Sequence, residues 1–230
     1  MGAYYGYMIV AGILSLVGAF VSQRLKSKFR HYSQVRLNAG LSGRAVAEQM
    51  LRHYGITDVK IVEGQGFLTD HYNPVSKTVS LSPGVYRGDS VASAAVAAHE
   101  CGHAVQHAQA YSMLQVRSAL VPVVNISARA QQFLLIIAFL TLSTMPSIML
   151  ITIIAFAVTT LFSFVTLPVE FDASKRALAW LDRSGVAQGQ NYAGAKDALW
   201  WAAMTYVAAA LSALVMLLYL VLRYSAASRD

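Results

Sequence analysis

Cys101 is the only cysteine in the chain, and Asp, Glu, Lys and Arg together supply just 13% of its 230 residues. A single thiol excludes an intramolecular disulfide and fits a reducing compartment. Soluble domains carry roughly a quarter of their residues as charges, so this chain is too poor in charge for an ordinary soluble fold. The hydrophobic share of 56% agrees, as does the mean hydropathy of +0.48. Charge is missing in blocks: none falls between Gln131 and Val169, and none between Asp197 and Arg223. Such gaps are what membrane spans look like.

Other absences narrow the reading further. No Lys or Arg precedes the first apolar run, Tyr4 to Val21, so it does not resemble a cleaved signal peptide. Arg24, Lys26, Lys28, Arg30 and Arg36 follow it instead, the pattern of an uncleaved anchor with its N-terminus outside. Gly6 stands where N-myristoylation requires Ser or Thr. The net charge of +7 comes with no nucleic-acid-binding motif, and no nucleic-acid partner is expected. Internal repeats and low-complexity linkers are lacking too.

What is present falls into a polar region and further apolar ones. From about Arg24 to Arg117 the chain reads as soluble. Ser42 can cap a helix carrying Val46, Met50 and Tyr54 on one face and ending at Gly55. Val59 and Ile61, then Val79 and Leu81, alternate with polar neighbours as short strands do, with a turn at Asn73-Pro74 between them. Asp89 or Ser90 can cap an Ala-rich helix that follows. Phe133 to Pro168 is then apolar for 36 residues. As one helix it would measure about 54 Å against a hydrocarbon core of roughly 30 Å. Ser143, Thr144, Pro146 and Ser147 supply a turn, so a hairpin is expected, its first arm short unless it begins near Val123. A last span covers about Ala202 to Leu222, with Trp200, Trp201, Tyr219 and Tyr224 placed as interfacial aromatics.

Chemistry is concentrated in His99-Glu100-Cys101-Gly102-His103, an HExxH sequence. Histidines four apart on a helix project from one face and can reach one ion. Glu100 beside them can take a proton from a metal-activated water. Zinc suits the set, because catalytic zinc uses three protein ligands and leaves a fourth position open. His107 lies about 12 Å from His99 along a helix axis and cannot share the ion; it is read as a polar face residue or a group supporting the ligands. Gln106 and Gln109 occupy the Gly and His positions of the extended HExxHxxGxxH form, which therefore fails. Glu170, read as beginning a helix after Pro168, can complete a His2Glu site, or can be a helix-start glutamate favoured by the dipole. His71 and Tyr72 can donate to an oxyanion, or can belong to a cluster that stabilises the Asn73-Pro74 turn. Cys101 should face away from the metal as a packing residue. Val79 to Leu81 could template an extended peptide, or be an internal strand.

Asp70 to Pro74, Lys77 to Pro83, Ala97 to Gln106 and Leu167 to Leu178 together resemble the membrane-bound neutral zinc metallopeptidases of the YugP family. The resemblance to HtpX-like and CAAX-prenyl membrane proteases is more distant. It implies that Glu170 is the third zinc ligand and that substrate pairs as a strand beside the active-site helix. One departure is visible: HtpX-like proteins carry Asp four residues after the ligand glutamate, where this chain has Ser174, with Asp172 two after it.

The expected fold is a mostly α membrane protein, with about four transmembrane helices and a small α+β zincin-like domain. The expected divisions are an anchor (1–23), a catalytic region with the HExxH helix (24–117), and a transmembrane hairpin (118–168). A third-ligand helix with its connector (169–199) and a C-terminal span and tail (200–230) complete the chain. The expected activity is that of a gluzincin-type zinc endopeptidase, with His99, His103 and Glu170 on the metal, Glu100 as general base and His71 as an oxyanion donor. Its partners would be peptide or protein substrates, membrane proteins among them, and the lipid bilayer. Positive residues at 24–36 and 175–183 place the catalytic site in the cytoplasm, at a bacterial plasma membrane, with both termini outside; Arg223 and Arg229 oppose this at the C-terminus. The rival is a proteolytically silent, zinc-stabilised scaffold or adaptor. A transporter is disfavoured, since the spans lack ionisable residues.

Overall fold

The computed structural model describes residues 2–142 and 144–227; Ser143 and Arg229, used above, lie outside them. Helices dominate: α1 (Gly2–Ser33), α2 (Gly43–His53), α3 (Pro83–Arg87), α4 (Val91–Ala108), α5 (Ser112–Leu140), α6 (Pro146–Arg183) and α7 (Gln190–Ala227). Between α2 and α3 lie three short strands, β1 (Lys60–Glu63), β2 (His71–Asn73) and β3 (Thr78–Leu81). Four helices, α1, α5, α6 and α7, are long and apolar enough to cross a membrane.

Two compact units form. The first takes the described residues of 1–21, 115–167 and 205–230. Its outer face is apolar, with Leu16, Ile126, Phe133 and Leu140 exposed, which in water would be costly and in lipid is not. Inside, Tyr7 meets the rings of Phe139 and Tyr219. Gln131, in the apolar stretch, donates to Ala155 O and Thr159 Oγ1 of α6, each at 2.8 Å. Those bonds answer the cost of a polar amide away from water.

The hairpin's first arm is long enough to include Val123, and one helix start differs from expectation. Helix α5 starts at Ser112, before Val123, and continues through Pro122 to Leu140. Helix α6 continues through Pro168 to Arg183. A proline removes one backbone donor and crowds the carbonyl four residues back, which bends or weakens a helix without having to end it. Glu170 is therefore in mid-helix, and the helix-start explanation for it falls away.

The second unit takes residues 22–114 and 168–204. Ser42 Oγ accepts from Ala45 N at 3.2 Å and starts α2, whose Val46 and Met50 are fully buried. Ser90, not Asp89, caps α4, its Oγ accepting from Ser93 N at 3.1 Å. The small residues Ala94, Ala95, Ala97 and Ala98 are all buried, so α4 runs as a central rod with neighbours close on every side. β3 is the middle strand, parallel to β1 and antiparallel to β2. Both its edges are used, which makes Val79 to Leu81 an internal strand rather than a template for peptide addition. The turn from β2 to β3 is set by Asn73, whose Oδ1 accepts from Val75 N and Ser76 N.

Candidate metal centre

Helix periodicity brings His99 and His103 to one side of α4, and α6 passes alongside with Glu170. The Nε2 atoms of the two histidines lie 3.3 and 3.6 Å from Glu170 Oε2, and the three potential ligand atoms fall within 4.8 Å of one another. Ligands in tetrahedral zinc sites, with bonds of about 2.0–2.2 Å, are separated by about 3.3 Å. The spacing thus fits an ion of that size, and two imidazoles with one carboxylate are a donor set zinc accepts. Glu170 is nearly fully buried, at 2% exposure, so its charge needs the partners that surround it.

Side chains behind the histidines decide which nitrogen is available. Gln106, fully buried, donates through Nε2 to Val169 O and to Asp172 Oδ2, each at 2.8 Å. Both are acceptors, which fixes the amide so that Oε1 faces His103 Nδ1, 3.0 Å away. An amide oxygen can only accept, so Nδ1 carries the proton and the neutral ring keeps its lone pair on Nε2. His99 Nδ1 has Ser174 Oγ at 3.1 Å, again leaving Nε2 toward Glu170. Arg176 donates to Asp172 Oδ2 and Gln109 Oε1 and lies over the Tyr111 ring, which holds Asp172 in place. Burial alone would lower the His103 pKa, but its hydrogen bond to Glu170 and the carboxylate charge outweigh that and raise it.

Sequence reasoning did not assign Gln106 or Ser174 a role. Gln106 was visible only as a departure from the extended motif, and Ser174 as the residue in place of an aspartate. Each supports one histidine, Ser174 directly and Gln106 with Asp172 behind it.

Glu100 follows His99 on α4 and is 8% exposed. Cys101 is buried, with Sγ 3.7 Å from Ala47 O, and burial together with the Glu100 charge pushes its thiol pKa well up. It is inert packing. His71 is on another element and outside the metal group. Its Nδ1 contacts Thr69 O at 2.9 Å; a carbonyl only accepts, so neutral His71 has no Nε2–H to offer an oxyanion. Strand alternation turns Tyr72 the opposite way, where its hydroxyl meets His107 Nδ1 at 2.8 Å. His107 therefore supports the sheet against α4 and does not join the other histidines. Asp70 accepts from Ser82 N at 2.7 Å and anchors the start of β2; burial raises its pKa although the Ser82 bonds oppose it.

Comparison with known proteins points to one family. A family described as "Putative neutral zinc metallopeptidase" matches residues 7–225. The "Putative membrane protease YugP" of Bacillus subtilis (strain 168) is 39% identical over 201 residues, covering 86% of this chain and 88% of that protein. No solved structure matches. The zinc of that family and the His2Glu geometry on α4 and α6 agree, and the chain belongs to this family of neutral zinc metallopeptidases.

Proposed function

We propose that the chain is a membrane-embedded zinc endopeptidase of the gluzincin type, with His99, His103 and Glu170 as ligands and Glu100 as general base. The observation that carries the reading is the convergence of two Nε2 atoms on one Glu170 oxygen, at 3.3 and 3.6 Å, beside a glutamate outside the ligand group. When bound, zinc supplies Lewis acidity that polarises a carbonyl and lowers the pKa of water. Glu100 accepts the proton of the attacking water and then delivers it to the leaving amine. Gln106 and Ser174 hold the Nδ1 atoms of His103 and His99, so each ring is oriented with Nε2 toward the metal position. Oxyanion donation by His71 would require its imidazolium form. Substrate would add at the open edge of β2, the strand joined to α4 through Tyr72 and His107. The catalytic unit faces the cytoplasm of a bacterial cell, and membrane proteins are among its substrates.

A silent scaffold would have no use for a base and would fill the fourth metal position with protein. Purified wild type and Glu100→Gln, assayed on unfolded casein, separate the two. Glu100→Gln should keep its zinc and lose proteolysis by about 10²–10⁴-fold. Equal cleavage by both proteins would refute the role of Glu100, and no cleavage by zinc-loaded wild type would favour the scaffold.

A further inference from the structure

Between α6 and α7, within the second unit, lies a cavity of about 310 Å³. Leu178, Ala179, Leu199 and Ala203 line its apolar part, Lys175 and Lys196 stand beside it, and Trp200 borders it. Both lysines are exposed. Neither has an acidic partner among the described residues; the nearby Asp197 is taken by Lys28 at 2.7 Å. An apolar slot with two unneutralised cations at its side selects an amphipathic anion. Ligand pockets run from about 300 to 1,000 Å³, so this one accepts part of a chain and not a folded partner.

Its height on the helices specifies the anion further. The charge-free run on α6 ends at Val169 and the one on α7 begins at Ala198. Lys175 is six residues past the first limit and Lys196 two before the second, about 9 and 3 Å along their axes. A headgroup layer is about 5–8 Å deep on each side of the hydrocarbon core, so Lys196 stands within it and Lys175 at its outer limit. Trp200, 55% exposed, is where interfacial tryptophans sit. Ser174 lines the same cavity and meets His99 on its Nδ1 edge. The cavity therefore lies behind this histidine, on the side away from the Nε2 that faces Glu170. A scissile peptide would have to approach from the other side.

We propose that this cavity binds one anionic phospholipid, its phosphate between Lys175 and Lys196 and its proximal acyl chain on Leu178, Leu199 and Ala203. The bound lipid touches Ser174 and so reaches the support of a metal ligand. The assignment does not depend on peptidase activity, because a catalytically silent chain would bind the same lipid.

The test uses full-length protein in non-ionic detergent with equimolar phosphatidylglycerol and phosphatidylcholine, read by native mass spectrometry. One phosphatidylglycerol should be retained preferentially. Lys175→Gln and Lys196→Gln should each lower its retention about fivefold, the change expected for one cation near an anionic surface. Leu178→Trp, which fills the slot and leaves both lysines, should lower it as well. In nanodiscs, phosphatidylglycerol brominated on its acyl chain should quench tryptophan fluorescence more than the brominated phosphatidylcholine does, and Trp200→Phe should remove the difference. Equal retention of the two lipids would overturn the proposal. So would unchanged phosphatidylglycerol retention in both the double lysine variant and Leu178→Trp. Displacement of the lipid by casein peptides would assign the cavity to substrate instead.

Discussion

Gly102 faces the backbone of Ala173 so closely that a Cβ at position 102 would stand 2.6 Å from the Ala173 carbonyl oxygen and 3.2 Å from its Cα. The glycine inside the HExxH sequence thus lets α6 approach α4 near enough for Glu170 to reach the histidines. Rigid backbone, unlike a side-chain end, cannot swing away. Overpacking costs about 1–3 kcal/mol, while alanine returns about 1 kcal/mol in helix propensity. Gly102→Ala is expected to lower unfolding stability by on the order of 1 kcal/mol. Its larger effect is expected in zinc affinity, since the displaced helix carries Glu170, the proposed third ligand. Gly12→Ala, in α1 where nothing lies within 4 Å, is the control: it should leave zinc affinity unchanged and, with no overpacking against the propensity gain, should not lower stability. Chelator competition and thermal unfolding read the two quantities.

Gln106 ties His103 to Val169 and Asp172. Gln106→Leu keeps the bulk and removes the buried partner of His103 Nδ1 and Val169 O, while Asp172 keeps Arg176. Each stranded polar group costs about 1–3 kcal/mol, and loss of such support typically weakens metal binding about 10–100-fold. Zinc titration of the variant should show a fall in that range. Wild-type affinity in a folded Gln106→Leu protein would remove its positioning role.

How far the sequence disclosed this site follows from how local each signal is. His99 and His103 were legible because a four-residue step on a helix needs only the helix. Cys101 was legible for the same reason, as the position facing away. Glu170 is distant in sequence; its place after the hairpin made it a candidate and the resemblance made it the expected ligand, while Pro168 suggested a helix start that does not exist. Gln106, Ser174 and Gly102 act through the α4–α6 contact, which no single segment encodes. β2 was read as the approach to a turn, since three residues with exposed ends give too little alternation to register as a strand.

Metal removal gives a further expectation. Purified protein should hold about one zinc, lost to chelators, and His99→Ala, His103→Ala and Glu170→Ala should each weaken binding severely. The raised His103 pKa adds a pH dependence. Without metal the ring retains its proton above the ordinary histidine range, and zinc must displace that proton. Affinity should therefore rise as pH increases through and above the ordinary histidine range, with proton release on binding. Elemental analysis and buffer-dependent calorimetry measure both. Full zinc occupancy in Glu170→Ala would overturn the third-ligand assignment.

Topology is constrained by the metal centre itself. Ligands on α4 and α6 can share an ion only if the chain crosses the membrane an even number of times between Arg117 and Glu170. Helices α5 and α6 are each long and apolar enough to cross, which allows two crossings. Positive residues then select the side: Arg24 to Arg36 follow the first span, and Lys175, Arg176 and Arg183 follow the hairpin. Single cysteines and a membrane-impermeant maleimide on intact cells test this hypothesis. Wild-type Cys101 is buried and should stay unlabelled, and Cys101→Ser supplies the background. Ser147, exposed at the hairpin turn, should label from outside when changed to cysteine, whereas exposed Ser76 and Ser184 should not. Exterior labelling at both Ser76 and Ser184 would reverse the orientation and leave the metal site intact. Labelling of those two from opposite faces would break the even crossing, and the His99–His103–Glu170 site could not then form.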